Sequence, residues 1–366
     1  MSVLRVLHLV GAADSEFYDK LSRFYAPYCL EQTANPALYE FHIAYISPGG
    51  QWRFPTSLDP SAIAAANPMS LAAAVQVLTD LKIDVMVPQM FCIPGMTQYR
   101  ALFDLLNIPY VGNTPEVMSL TSDKAKARAV VAAAGVSVPL GEVVRAGVRP
   151  SIDFPVVVKP LNADNSLGVA LVKNAADYDA ALQTALTHSE EVLVEKFIEL
   201  GREVRCGIIV QAGELVCLPL EEYPVDPDTQ PIRTYADKLQ ENDDGSLTGS
   251  TKNTRPWVVD KSDPITERVW AEARKCHIAL GCRHYSLFDF RIDPDGQPWF
   301  LEAGLYCCLA EKSVISVMAK ASGISLDTLF QSMLQNALQG RSESPLALVA
   351  IEETDCSIGT MVEPVR

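Results

Sequence analysis

Hydrophobic and polar positions along the chain fall into two regimes. Up to about residue 112, short continuous apolar runs alternate with stretches in which apolar side chains recur every three or four positions. Residues 3–10 read as a strand ending at Gly11, and 15–32 as a helix with Phe17, Leu21, Phe24, Tyr25 and Tyr28 at helical spacing. A second strand is predicted at 41–46, a helix at 71–81, a third strand at 84–89, a helix at 97–106 and a short last strand at 108–112. Strands alternating with helices predict a parallel, doubly wound sheet. Residues 51–69 are rich in loop formers and give no clear element.

Beyond Thr114 the pattern changes. A helix is predicted from Ser122 to about Ala134, stopped by Gly135. Residues 154–160 form a strand with Lys159 near its end, 161–168 a loop of small and polar residues, and 169–172 a return strand. An Ala-rich helix follows at 175–187, then strands at 191–198 and 201–210 and a long irregular stretch at 221–256. A helix at 263–280 leads into a hairpin, with strands at 286–292 and 298–303 around the turn Pro294-Asp295-Gly296. Helices at 313–322 and 325–339 finish the fold, and a partly flexible tail is expected from Gly340.

Composition narrows the function. The chain of 366 residues is long enough for two or three domains, with 48% hydrophobic and 20% charged residues. A formal charge of -15 weighs against a nucleic-acid surface and suits a nucleotide that arrives with Mg²⁺. The apolar start is short and broken by Arg5 and His8, so it reads as a strand and not a signal peptide, and no apolar run reaches membrane-spanning length. Nine cysteines without a CxxC pair, two of them adjacent at Cys307-Cys308, indicate reduced, mostly buried thiols and a cytoplasmic protein.

The candidate chemistry centres on the hairpin. Asp289 and Glu302 are carboxylates inside otherwise apolar strands, where an unpaired charge would cost several kcal/mol. An antiparallel pairing brings them together, either to hold a hard divalent cation or to neutralise a buried Lys or Arg. Lys159 beside a small-residue loop suits a polyphosphate cradle, or the loop is an ordinary hairpin turn. Glu195-Lys196-Phe197-Ile198 either offers backbone groups to an adenine edge or is a simple connection. The first strand lacks G-x-G-x-x-G. Ser15 and Glu16 lie where doubly wound sheets bind ligands, although Ser15 also fits a helix N-cap.

Taken in order, Asp123-Lys124, Val158-Lys159-Pro160 with its loop, Val194-Glu195-Lys196 and Asp289…Leu301-Glu302 resemble the ATP-grasp superfamily, in particular the D-alanine–D-alanine ligase group. The likeness runs from about Ile83 to Leu334. It implies an α/β chain, α+β in the grasp domains, with an N-terminal doubly wound parallel-sheet domain at 1–115. A small central grasp domain would span 116–192, a C-terminal grasp domain with the metal and substrate site 193–340, and a tail 341–366. The family uses ATP and Mg²⁺ to phosphorylate one substrate, which an amine then attacks. Carried over by position, Lys124 and Lys159 reach the phosphates, with Ser166 and Gly168 in the covering loop. Glu195, Lys196 and Ile198 border adenine, Glu203 meets the ribose, and Asp289 and Glu302 bind Mg²⁺. Lys238 approaches the transferred phosphate, Ser313 and Glu16 fall at the substrate, and a homodimer without nucleic-acid or membrane partners is implied.

Two departures matter. The cell-wall ligases carry an Arg two residues before the metal Asp and an Asn two residues after the metal Glu, whereas this chain has Leu287 and Gly304. The pattern is most similar to the ligase branch of mycosporine-like amino acid synthesis. That likeness implies attachment of a small amino acid (Ser, Thr or Gly) to the cyclohexenimine ring of mycosporine-glycine through an enol phosphate. The rival readings are a D-Ala–D-Ala-type or other dipeptide ligase working through an acyl phosphate, and an ATP-binding protein without catalysis.

Overall fold

The computed structural model describes residues 3–242, 247–249 and 255–340. The expected tail, 341–366, and parts of the irregular 221–256 stretch lie outside them. The chain opens with β1 (Leu4–Gly11), which is buried along most of its length, as its largely apolar sequence demands. It is followed by α1 (Glu16–Gln32), β2 (Tyr39–Ile46), β3 (Trp52–Arg53), α2 (Pro60–Ala65), α3 (Leu71–Leu81) and β4 (Val85–Pro88). The sheet order is β3-β2-β1-β4, with β1 parallel to both β2 and β4. The loop-rich stretch 51–69 supplies the edge strand β3, antiparallel to β2, so the sheet is mixed and not wholly parallel. The predicted strand at 108–112 is reduced to one parallel bridge, Met86 to Tyr110, because Pro109 has no N–H to extend the ladder. Ser15 accepts the Tyr18 amide at 3.3 Å and is the N-cap of α1.

Helices α4 (Ile93–Met96), α5 (Gln98–Leu105), α6 (Pro115–Ser122) and α7 (Lys124–Ala133) follow. The helix predicted from Ser122 is α7, which begins two residues later, and the preceding α6 was not predicted. Asp123 leaves helical geometry and its carboxylate accepts the Ala125 and Lys126 amides, both at 3.0 Å, which restarts the helix and fixes Lys124 at its first turn.

The second sheet, order β5-β8-β6-β7, is antiparallel throughout. It consists of β5 (Gly141–Val144), β6 (Val156–Pro160), β7 (Ala170–Val172) and β8 (Val192–Lys196), packed on α8 (Tyr178–Leu186). The third sheet contains β9 (Arg202–Gln211), β10 (Glu214–Cys217), β11 (Glu221–Glu222), β14 (Trp257–Val258), β15 (Tyr285–Ile292) and β16 (Pro298–Ala303). A separate hairpin, β12 (Leu239–Glu241) with β13 (Leu247–Gly249), stands in the stretch predicted to be irregular, where polar residues masked the short strands. Helix α9 (Pro264–Ala279) covers one face of the third sheet. The other face packs on α10 (Val314–Ala321) and α11 (Leu326–Gln339), in a core that also takes in Val6 and Val85 of the first sheet. Phe330 stands edge-on to Tyr39 at 5.4 Å, joining α11 to β2. The eight cysteines among the described residues are free thiols, most of them buried. No helix among the described residues is long and apolar enough to cross a membrane.

Candidate active site

A cleft of about 740 Å³ opens between the second and third sheets. Its walls carry Lys124, Lys159, Ser166, Glu195, Lys196, Ile198, Glu203, Lys238, Asp289 and Glu302, residues spread over almost 180 positions of the sequence and brought together by the two sheets. Asp289 and Glu302 are register partners across the β15–β16 hairpin, with a bulge just after Asp289. The hairpin predicted from the sequence therefore does place the two carboxylates side by side.

The structure also shows how each charge is partnered. Arg205, the register partner of Asp289 on β9, grips it through Nε and through Nη2, the latter at 2.6 Å. Burial pushes the Asp289 pKa up, but the charge and hydrogen bonds of Arg205, helped by Lys238 and Arg233, outweigh it and hold the carboxyl low, at about 2. Lys159 is paired with Glu195 at 2.5 Å, and Arg128 reaches the same carboxylate at 3.2 Å. The Glu195 side chain therefore serves the ion pairs at the cleft. Lys196 donates to the carbonyls of Asp153 and Phe154, at 2.9 and 3.3 Å. Glu203 accepts from Arg291 at 2.8 Å, and the same guanidinium donates to the Ile198 and Pro231 carbonyls, tying the hinge to the 231–238 segment.

The loop after β6 is built to expose backbone N–H groups. Asn165, Ser166 and Gly168 all have positive φ, at 55°, 57° and 69°. A side chain at Gly168 would also run into His188 and Pro160, at 2.7 and 2.8 Å. Lys124 donates to the Ala163 carbonyl of this loop, and Tyr18 of α1 reaches Asp164 at 3.4 Å. Burial raises the Asp164 pKa, opposed by Lys124 and reinforced by Glu302. Burial likewise lowers the Lys238 pKa, with Glu302 acting against it.

The two expected substrate residues stand apart from this wall. Ser313 occupies the N-cap position of α10 but makes no side-chain cap bond, and Glu16 is exposed in the first turn of α1. Residues not singled out in the sequence are more prominent: Arg205, Arg233 and Arg291, with Glu221 and Tyr223 beside them. The available signal was the charged pair Glu203 and Arg205 at period two within an otherwise apolar strand.

No group of three or more His, Cys, Asp or Glu able to hold a metal occurs among the described residues. Two adjacent carboxylates nevertheless fit Mg²⁺, which takes one or two protein carboxylates and completes its shell with phosphate oxygens and water. At neutral pH Asp289 is anionic, as such a ligand must be. Gly304 leaves the next position without a donor.

Comparison with known proteins agrees with this geometry. Residues 138–335 match the family described as D-ala D-ala ligase C-terminus. The chain is 30% identical to a D-alanine–D-alanine ligase of Geobacter sulfurreducens over 246 residues, covering 65% of this chain and 72% of the relative. An uncharacterized protein, y4sG, of Sinorhizobium fredii is 29% identical over 245 residues, 66% of this chain and 70% of that one. Among solved structures, the VanG D-Ala:D-Ser ligase of Enterococcus faecalis superposes with a TM-score of 0.74 at 21% identity, covering 92% of this chain and all (100%) of that one. The ATP complex of the Bacillus anthracis D-alanine–D-alanine ligase gives 0.69 at 20% identity, covering 94% and 99%. A two-sheet cleft with this order of lysines and carboxylates, on a chain matched by that family over more than half its length, makes the protein a member of the D-alanine–D-alanine ligase family of ATP-grasp, ADP-forming C–N ligases.

Proposed function

We propose that the chain joins an amino-acid amine to a phosphorylated acceptor at the expense of ATP, by the acyl-phosphate route of its dipeptide-ligase relatives. The observation that carries this is the convergence of Lys124, Lys159 and Lys238 with Asp289 and Glu302 around one cleft. In this reading Lys124 and Lys159 meet the ATP phosphates under the loop holding Ser166 and Gly168. Backbone groups of Glu195, Lys196 and Ile198 border adenine, and Glu203, fixed by Arg291, takes the ribose hydroxyls. Asp289 and Glu302 would hold Mg²⁺, which neutralises phosphate charge when bound. Lys238 faces the phosphoryl group in transfer. The acceptor oxygen bonds to the γ-phosphorus as ADP leaves with the bridging electron pair; the amine then forms the C–N bond and expels phosphate. Ser313 and Glu16 belong to the amine and acceptor end.

A second reading, ligation to the ring of mycosporine-glycine through an enol phosphate, is favoured by a specific set of side chains. Leu287 removes the family cation that steadies an acyl oxyanion. Phe17, Tyr18, Tyr25, Phe91, Tyr235 and Tyr306 cluster between α1 and the strand after which Tyr306 follows, a setting suited to a planar ring. Burial raises the Tyr306 pKa, and Asp164 and Glu302 are among the charges it feels.

The deciding experiment is phosphate release from ATP with a panel of amino acids, with and without mycosporine-glycine, followed by product mass. Release with amino acids alone supports the dipeptide route. Release only with the ring compound, with a shifted absorbance, supports the second. None under either condition would make the chain a nucleotide binder without catalysis.

A further inference from the structure

Arg233 lines the cleft just before the turn Tyr235–Asp237, and its guanidinium lies 3.5 Å from the centre of the Tyr223 ring. The ring is itself fixed, since the Tyr223 hydroxyl donates to Glu221 at 2.6 Å. Most other cations of the cleft are already engaged, Lys238 aside. Lys159 holds Glu195, Arg291 holds Glu203, and Lys124 and Lys196 bond to backbone carbonyls. Arg205, 5.7 Å from the same ring, is held by Asp289. Among the described residues, Arg233 has no carboxylate partner. Stacking on Tyr223 fixes the plane of the guanidinium while leaving its in-plane N–H donors available. In a chain of net charge -15, a positioned and unpaired arginine in a cleft is placed for an anion that arrives with the ligand. Its charge is felt by both Asp289 and Lys238, which locates that anion at the carboxylate end of the cleft.

We propose that Arg233 contacts the γ-phosphoryl group of ATP and stays with it through transfer. The inference rests on the ligase reading above. As the bond between the γ-phosphorus and the bridging oxygen breaks, its electron pair stays on ADP and the acceptor oxygen forms the new bond to phosphorus. The guanidinium donates to the non-bridging oxygens, over which the transition-state charge is spread. An ATP-against-ADP preference follows, because only ATP carries the group that Arg233 meets.

Titration calorimetry of the full chain with ATP and with ADP tests this, using wild type, Arg233→Gln, Arg233→Lys and Tyr223→Leu. Arg233→Gln should weaken ATP about tenfold, leave ADP within about twofold, and lower kcat by about 100-fold with the amino-acid KM unchanged. Arg233→Lys should recover part of the ATP preference, and Tyr223→Leu should lose part of it. Equal weakening of ATP and ADP would overturn the inference, as would a selective rise in amino-acid KM, which would make Arg233 a carboxylate site. A wild-type chain that bound neither nucleotide would overturn the ligase reading as well. Loss confined to the variant's ATP preference separates the two.

Discussion

Asp289, buried, and Arg205, half-buried, face each other on neighbouring strands of the third sheet, joined by two hydrogen bonds. Removing one partner leaves the other as an uncompensated buried charge, which costs more than losing both. Arg205→Met should therefore destabilise the chain by about 3 kcal/mol, and the double variant Arg205→Met/Asp289→Leu should regain most of that. Urea unfolding of the two single variants and the double variant checks it. Additive losses would mean that the pair contributes only through separate contacts.

The hairpin that carries Asp289 was legible in the sequence because period-two alternation and a Pro-Asp-Gly turn fix both strands, and two carboxylates in apolar strands advertise themselves. The loop after β6 was legible as a run of small residues after Lys159, although its positive-φ backbone was not. Arg205 escaped notice because its meaning depends on which strand lies beside β15, and that is β9, reached only after some 80 intervening residues. Arg233 stood inside a stretch too polar to show its short strands and turn, so nothing local tied it to Tyr223. Local pattern reports a residue's own strand. Cross-strand partners come from topology.

Leu287 stands opposite Gly207, and a side chain at Gly207 would already press on Leu287 at 3.4 Å and on Met318 at 2.9 Å. Leu287 is buried in an apolar cluster with Ile209, Leu218 and Met318. Leu287→Arg should cost at least about 3 kcal/mol by urea unfolding, with no gain in dipeptide synthesis. A variant of wild-type stability that made dipeptide much faster would instead show that the missing arginine limits acyl-phosphate chemistry here.

Gly304 meets nothing within 4 Å and has no positive φ, so a side chain fits there without strain. Gly304→Asn adds a neutral oxygen donor two residues beyond Glu302. The half-saturating Mg²⁺ concentration for nucleotide binding should fall several-fold, with the melting temperature of the ligand-free chain unchanged within about 2 °C. Mg²⁺ titrations at fixed ADP, read by calorimetry, measure this without turnover. An unchanged Mg²⁺ requirement would place position 304 out of reach of the ion.

His284, just before β15, holds the segment after Tyr110, its Nδ1 accepting the Gly112 amide at 3.0 Å, and His277 Nδ1 meets the Ser286 hydroxyl at 2.8 Å. Burial, with Arg283 and Arg100 nearby, pushes the His284 pKa down to about 3, and burial takes His277 down to about 4. An unfolded histidine titrates near 6.5, so between about pH 6.5 and 4 the unfolded chain binds more protons than the folded one. Stability is then complete above the unfolded pKa and lost as the pH falls. The two rings together should account for on the order of 4 kcal/mol between pH 7 and pH 5. His284→Asn keeps an acceptor for Gly112 but cannot titrate, so it should halve the slope of unfolding free energy against pH over this range. Urea midpoints measured at half-unit steps decide the matter, and a slope identical to wild type would assign the acid sensitivity to other groups.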